Sequence, residues 1–193
     1  MEISSLYLRI HQIKNKKTYI MKLLKIIVLG SLLIAMSLSS CQKKNRMANH
    51  QIVNSIDSYS GWIINKNLIK TGEAHSGNKY VSLGKNGIYG PRYTISVAEL
   101  GGLKKVNVDC FARIYEENAK ELYVFRIMRG DSGIYWKAYD LRDADIIQGK
   151  WTQINTSFDF EKVKVEPEDM ISIFPWSPDK IKADFDDITI EFK

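Results

Sequence analysis

From about residue 53 to the C-terminus, apolar and polar positions alternate with a period of two, in short runs broken by glycine-rich turns. Successive side chains of an extended chain point to opposite faces, so this pattern predicts strands with one buried face. The longest run is 105–115. Val106, Val108, Cys110, Ala112 and Ile114 fall on one face, and Asn107, Asp109 and Arg113 on the other. Shorter runs predict strands over 68–71, 79–83, 89–96, 121–129, 134–141, 151–160, 170–174 and 188–192. "GDSG" (130–133) joins two of them as a hairpin. Ser96 stands three residues before Glu99, with Gly101 behind, which predicts a single capped helical turn. About ten strands with a turn signal every ten residues or so give an all-β, antiparallel β-sandwich as the expected fold.

A different pattern precedes residue 41. Lys22 and Lys25 follow Met21, and residues 26–40 then form an apolar run of 15 positions. That is the length of a signal-peptide core and short of the ~20 residues of a membrane-spanning helix. The run ends Leu38-Ser39-Ser40-Cys41. These residues resemble the bacterial lipoprotein lipobox, which implies cleavage before Cys41 and lipid on its thiol and freed amine. Two or three acyl chains give a stable anchor where one is marginal. The expected organisation is an upstream stretch over 1–20 with Met21 as the true start, a signal peptide over 21–40, the lipidated Cys41 and a polar tether over 41–52, and the sandwich over 53–193. Cys41 is followed by Gln42 rather than Asp, and "QKKN" (42–45) lacks acids, so the outer membrane facing the periplasm is the expected location.

Charge and composition sharpen this. The net charge of +6 is carried almost wholly by the leader: residues 1–40 hold six bases and one acid, leaving 22 bases against 21 acids. A near-neutral domain with no stripe of alternating bases and aromatics excludes nucleic acid as the expected partner. Beyond Cys41 the one remaining cysteine is Cys110, in phase with core residues, so a buried small hydrophobe is expected and no disulfide framework.

Candidate chemistry lies in aromatic clusters. Sugar recognition uses flat apolar faces ringed by planar polar groups. "RGDSGIYWKAYDLRD" (129–143) holds Tyr135, Trp136 and Tyr139 beside Lys137, Asp140 and Arg142. Arg126 on the preceding strand sits between apolar neighbours, so its charge needs a partner or a ligand. Tyr89, Arg92 and Tyr93 form a second group. The plainer alternative for each is cross-strand packing, and Trp62, Trp151 and Trp176 are assigned to packing. No spacing pairs carboxylates as in a glycosidase. His75 and Ser76 are adjacent without a nucleophile elbow, and no His/Cys cluster suits zinc. A non-enzyme is expected.

"GEAHSGNKYVSL" (72–83), "GKWTQINTSF" (149–158) and "DMISIFPWSPDKIKADFDDITIEF" (169–192) occur in that order. Together they resemble carbohydrate-binding modules of the jelly-roll, galactose-binding-domain-like group, especially those on lipoproteins of Bacteroides-type bacteria. The resemblance covers roughly 53–192. It departs at Pro175 and at Ser177, where such modules often carry Asn, and Pro175 predicts that its strand ends early or lies at an edge. The resemblance implies a jelly-roll sandwich that binds glycan, and a structural Ca²⁺ held by Asp187 and Asp186 with oxygens near Ser76, Gly77 and Asn54. Ca²⁺ takes six to eight oxygens, and clustered carboxylates repel unless a cation or donors offset them. The alternative is a turn in which Lys180 and Lys182 neutralise the acids, or in which Asp186 accepts backbone N–H bonds. The function expected is a lipid-anchored, non-catalytic envelope protein that binds a glycan through the sandwich. A module of the same fold that engages envelope protein partners without a sugar site is the other reading.

Overall fold

The computed structural model describes residues 50–58 and 61–193. The leader, Cys41 and most of the expected tether lie outside the described residues. Ten strands form: β1 (His50–Asn54), β2 (Ile69–Thr71), β3 (Lys79–Leu83), β4 (Tyr93–Ser96), β5 (Lys105–Ile114), β6 (Leu122–Arg129), β7 (Ser132–Asp140), β8 (Thr152–Asp159), β9 (Met170–Trp176) and β10 (Ala183–Phe192).

They build two antiparallel sheets. The first runs β2-β3-β10-β5-β8 with β1 also on β10, and the second runs β4-β9-β6-β7. From β3 onward the chain passes back and forth between the sheets, pausing only for the β6–β7 hairpin. This is the jelly-roll course of an all-β sandwich. The inner faces meet in one core. Phe125 of the second sheet stacks on Phe158 at 5.5 Å and meets the tilted Phe160 ring at 5.2 Å, and Val106, Val108, Cys110 and Ala112 are buried opposite. Burial pushes the Cys110 thiol up, so it stays protonated and inert. The capped turn forms as a 3-10 helix over Val97–Leu100. Glu99 accepts from the Ser96 amide at 3.0 Å, and Gly101 takes φ +62° behind it.

The strand expected over 89–96 begins only at Tyr93, and three further differences from the pattern have local reasons. The first strand starts at His50, because its backbone pairs with 188–192 of β10. β10 starts five residues before 188, since Ala183–Phe185 pair with β3. β9 runs through Pro175 to Trp176 instead of stopping at 174, although it is a central strand. The reason is local. β4 pairs only with 170–173, so beyond Ile173 that side of β9 is an edge, contacted by Gly90, whose amide donates to the Pro175 carbonyl at 2.9 Å. A residue's N and C=O point to the same side of an extended strand, so the missing N–H of Pro175 falls on this edge. Gly90 fits because a Cβ there would sit 2.5 Å from Pro175 Cγ.

Candidate functional site

Two outer faces carry aromatic and charged side chains, and they differ in how far those groups are satisfied. On the first sheet, Arg113 lies over the Trp151 ring at 4.6 Å and over Tyr80 at 5.3 Å. Its guanidinium donates twice to the buried Asp184, which also accepts from Tyr115. Trp151 donates its indole N–H to the Glu73 carbonyl. The charges here are spent on one another, as in a structural network, although the three donors all share Asp184 Oδ2 and the buried Oδ1 has no partner.

The aspartates of the closing strand belong to that network. β3 and β1 share one edge of β10, and Asp186 and Asp187 fill the junction between them, at a break in register. Buried Asp186 accepts the His75 and Ser76 amides at 2.9 and 3.2 Å, and the Asp187 amide at 2.8 Å. Asp187 takes positive φ (46°) and accepts from the Ser76 hydroxyl at 2.7 Å, while His75 Nδ1 lies 2.6 Å from its other oxygen. Gly77 is forced at the turn: it has φ +59°, and a Cβ would lie 2.0 Å from Asp57 Oδ2. Desolvation lifts the Asp186 carboxyl to about 6 against the pull of its N–H donors. All four oxygens face N–H, O–H or imidazole nitrogen, so donors offset the clustered charge here without a cation, which is the alternative to the Ca²⁺ expected at Asp186 and Asp187. Among the described residues no group of three or more His, Cys, Asp or Glu is arranged to hold a metal ion. The His75 Nδ1 and the Ser76 hydroxyl both turn to Asp187 rather than to each other.

The second sheet's outer face is different. Cross-strand register sets its rows: Trp136 on β7 faces Arg126 on β6, which faces Ser172 on β9, and the next rows hold Val124 with Phe174 and Leu122 with Trp176. Leu122, Val124 and Phe174 form a separate apolar cluster with Ala138 and Trp176. Tyr89 comes from the segment before β4, stacks on Trp176 at 6.1 Å and meets Phe174 edge-on. Trp136 and Tyr89 are 57% and 56% exposed, high for large aromatics. Arg126 lies over the Phe174 ring at 5.4 Å, yet its buried Nε has no protein acceptor, and neither has the buried Trp176 Nε1. Among the described residues Trp62 Nε1 and Tyr123 Oη of the main core are also unpaired, as are Asn54 Nδ2, Glu121 Oε2 and Asp184 Oδ1. Ile63, Asn65, Tyr89, Arg92, Arg126 and Phe174 enclose a cleft of about 390 Å³, within the range of small-ligand sites. A larger depression of about 770 Å³ on the first sheet is lined by polar residues such as Asn107, Asp109 and Asn155 and holds no aromatic ring. It is open sheet surface with no platform for a ligand.

Thus Trp136 and Arg126 are cross-strand neighbours as expected, and Tyr89 and Arg92 line the cleft with Arg126, whereas Trp136 lies outside that lining. Tyr135, Tyr139 and Tyr93 do not join them. Side chains alternate, and these three pack against the main core, Tyr135 edge-on to Phe125 and Tyr93 against Trp62. Asp140 faces outward but pairs with Arg142, which holds its carboxyl below the usual range. Trp176, assigned to packing, is part of the outer face. Its parity with Phe174, opposite to the buried Ile171 and Ile173, was a signal for this. Nothing in the sequence joins Tyr89 to Trp176.

No family model matches the sequence, and no curated protein matches it. Among solved structures, the chain is similar to a family 22 xylan-binding domain from Paenibacillus barcinonensis, with TM-score 0.47 and 13% identity over 73% of this chain and 92% of that one. It is similar to a family 61 carbohydrate-binding module in complex with β-1,4-galactotriose, with TM-score 0.37 and 12% identity over 68% and 88%. It is also similar to a Stig cyclase from Fischerella, with TM-score 0.45 and 12% identity over 79% and 92%.

Proposed function

We propose that the outer face of the second sheet binds carbohydrate without turnover, on a chain held at the outer membrane by lipid on Cys41. The observation that carries the reading is Arg126. Its guanidinium rests on Phe174, its buried Nε has no protein acceptor among the described residues, and the exposed Trp136 ring stands opposite it. Burying a donor without an acceptor is costly, and a ring-hydroxyl or carboxylate oxygen offsets that cost. Trp136 and Tyr89 supply apolar platforms for the C–H faces of pyranose rings, and Asn65 adds an amide at the cleft wall. The lining holds no Asp or Glu, whereas glycosidic cleavage generally requires a carboxylate pair.

Affinity electrophoresis of the full-length chain through gels containing plant, host and microbial polysaccharides tests this. Retardation by a subset of gels, lost in Trp136→Ala, is the expected result. Equal mobility in every gel would overturn it in favour of a module that engages protein partners, and release of reducing ends would overturn the non-catalytic reading.

A further inference from the structure

The described residues hold five arginines. Three are clamped by aspartates: Arg113 by Asp184, Arg129 by Asp169 and Arg142 by Asp140. The Asp169 carboxyl is drawn down to about 2, first by its hydrogen bonds from Arg129. The other two, Arg92 and Arg126, have no carboxylate partner among the described residues, and both line the same cleft. No acid lines it with them. A folded protein that neutralises its other arginines with carboxylates has left two guanidiniums facing one small space.

From this juxtaposition we infer that the ligand is an anionic saccharide, a chain bearing uronic-acid carboxylates, with Arg126 and Arg92 as the carboxylate receptors. The inference rests on the proposal that this face binds sugar, and adds the class of sugar. A guanidinium presents a planar fork that matches a carboxylate and is more weakly hydrated than an ammonium, which suits a half-buried position against an aromatic ring. A neutral sugar satisfies the Arg126 Nε donor but leaves two positive charges on one cleft wall without a counter-charge. A uronate offsets both. Its pyranose ring then has Tyr89 at the cleft wall, with Trp136 on the neighbouring strand, in the Arg126 row, as a platform outside the cleft lining.

Calorimetric titration of the full-length chain tests this with galacturonate, glucuronate and alginate oligosaccharides, each beside its methyl ester, plus neutral xylo- and galacto-oligosaccharides and poly-glutamate. At least one uronate is expected to bind about tenfold or more tighter than its ester, with affinity falling as salt is raised. Arg126→Gln and Arg92→Gln should each remove most of that preference while the melting temperature holds. Esters or neutral oligosaccharides that bind as tightly, or variants that keep the preference, would overturn the anionic assignment and leave the sugar-binding face standing. Equal binding of poly-glutamate would overturn the saccharide class. Binding of none of these saccharides would overturn both readings together.

Discussion

Trp136 and Phe125 stand at opposed positions of the β6–β7 hairpin, one row apart, and face different media. Phe125 is fully buried between Phe158, Phe160 and Tyr135, whereas Trp136 is more than half exposed. Phe125→Ala therefore removes core packing and is expected to cost about 3–5 kcal/mol. Trp136→Ala should change stability by less than about 0.5 kcal/mol while abolishing glycan binding. Urea unfolding of the two variants checks the contrast, and a large stability loss in Trp136→Ala would make that ring a packing residue. At this scale the sequence was half legible. Arg126 announced itself as a base among apolar neighbours. Tyr135 and Tyr139 misled because clustering by composition ignored parity: they alternate with Trp136, and only one set can face outward. Tyr89 reaches the face through contacts between distant segments, which no local pattern encodes.

At the scale of elements, the β6 entrance holds a titratable group that the outer face does not use. Glu121 is fully buried, and burial lifts its carboxyl to about 8, with Asp179 and Asp140 adding repulsion. Ser177 Oγ lies 2.9 Å from Glu121 Oε1 and 3.0 Å from the Ile181 carbonyl. One hydroxyl has one proton, so Ser177 serves only one of these two acceptors at a time unless Glu121 carries a proton of its own. A carboxyl raised in the folded state binds its proton more tightly there than in the unfolded chain, where it titrates near 4.3. Its stabilisation is complete below that value and is lost as pH rises through about 8. Asp186, raised to about 6, acts in the same direction at lower pH. Melting temperature should fall from pH 5 to pH 9, and Glu121→Gln should flatten the slope above pH 6. A rise across that range would contradict the assignment. At the β3–β1 junction, N–H donors already offset Asp186, so chelator should leave the melting temperature unchanged, and a marked fall would restore the metal.

Strand positions were legible where period-two runs were long, as in β5, where the core residues are the five the alternation picked. They were not legible where pairing rather than pattern sets the boundary. β1 has little alternation and forms because β10 offers it an edge, and Pro175 stays in a central strand because β4 ends two residues short of it.

At the scale of the whole molecule, the jelly roll turns one sheet's outer face into an internally neutralised network and leaves the other with exposed rings and unpaired guanidiniums. The anchor is a proposal about residues outside the described ones. Cys41→Ser is expected to abolish lipid labelling and to move the chain from the membrane to the soluble fraction, and unchanged fractionation would refute it. Which face meets the ligand is the central claim, and each sheet carries an outer tryptophan that can report on it. The decisive measurement is the affinity of Trp136→Ala and of Trp151→Phe for whichever polysaccharide retards the native chain most. Loss of binding in Trp136→Ala with binding kept in Trp151→Phe is the predicted result. Binding kept in Trp136→Ala and lost in Trp151→Phe would assign the ligand to the first sheet and contradict the account.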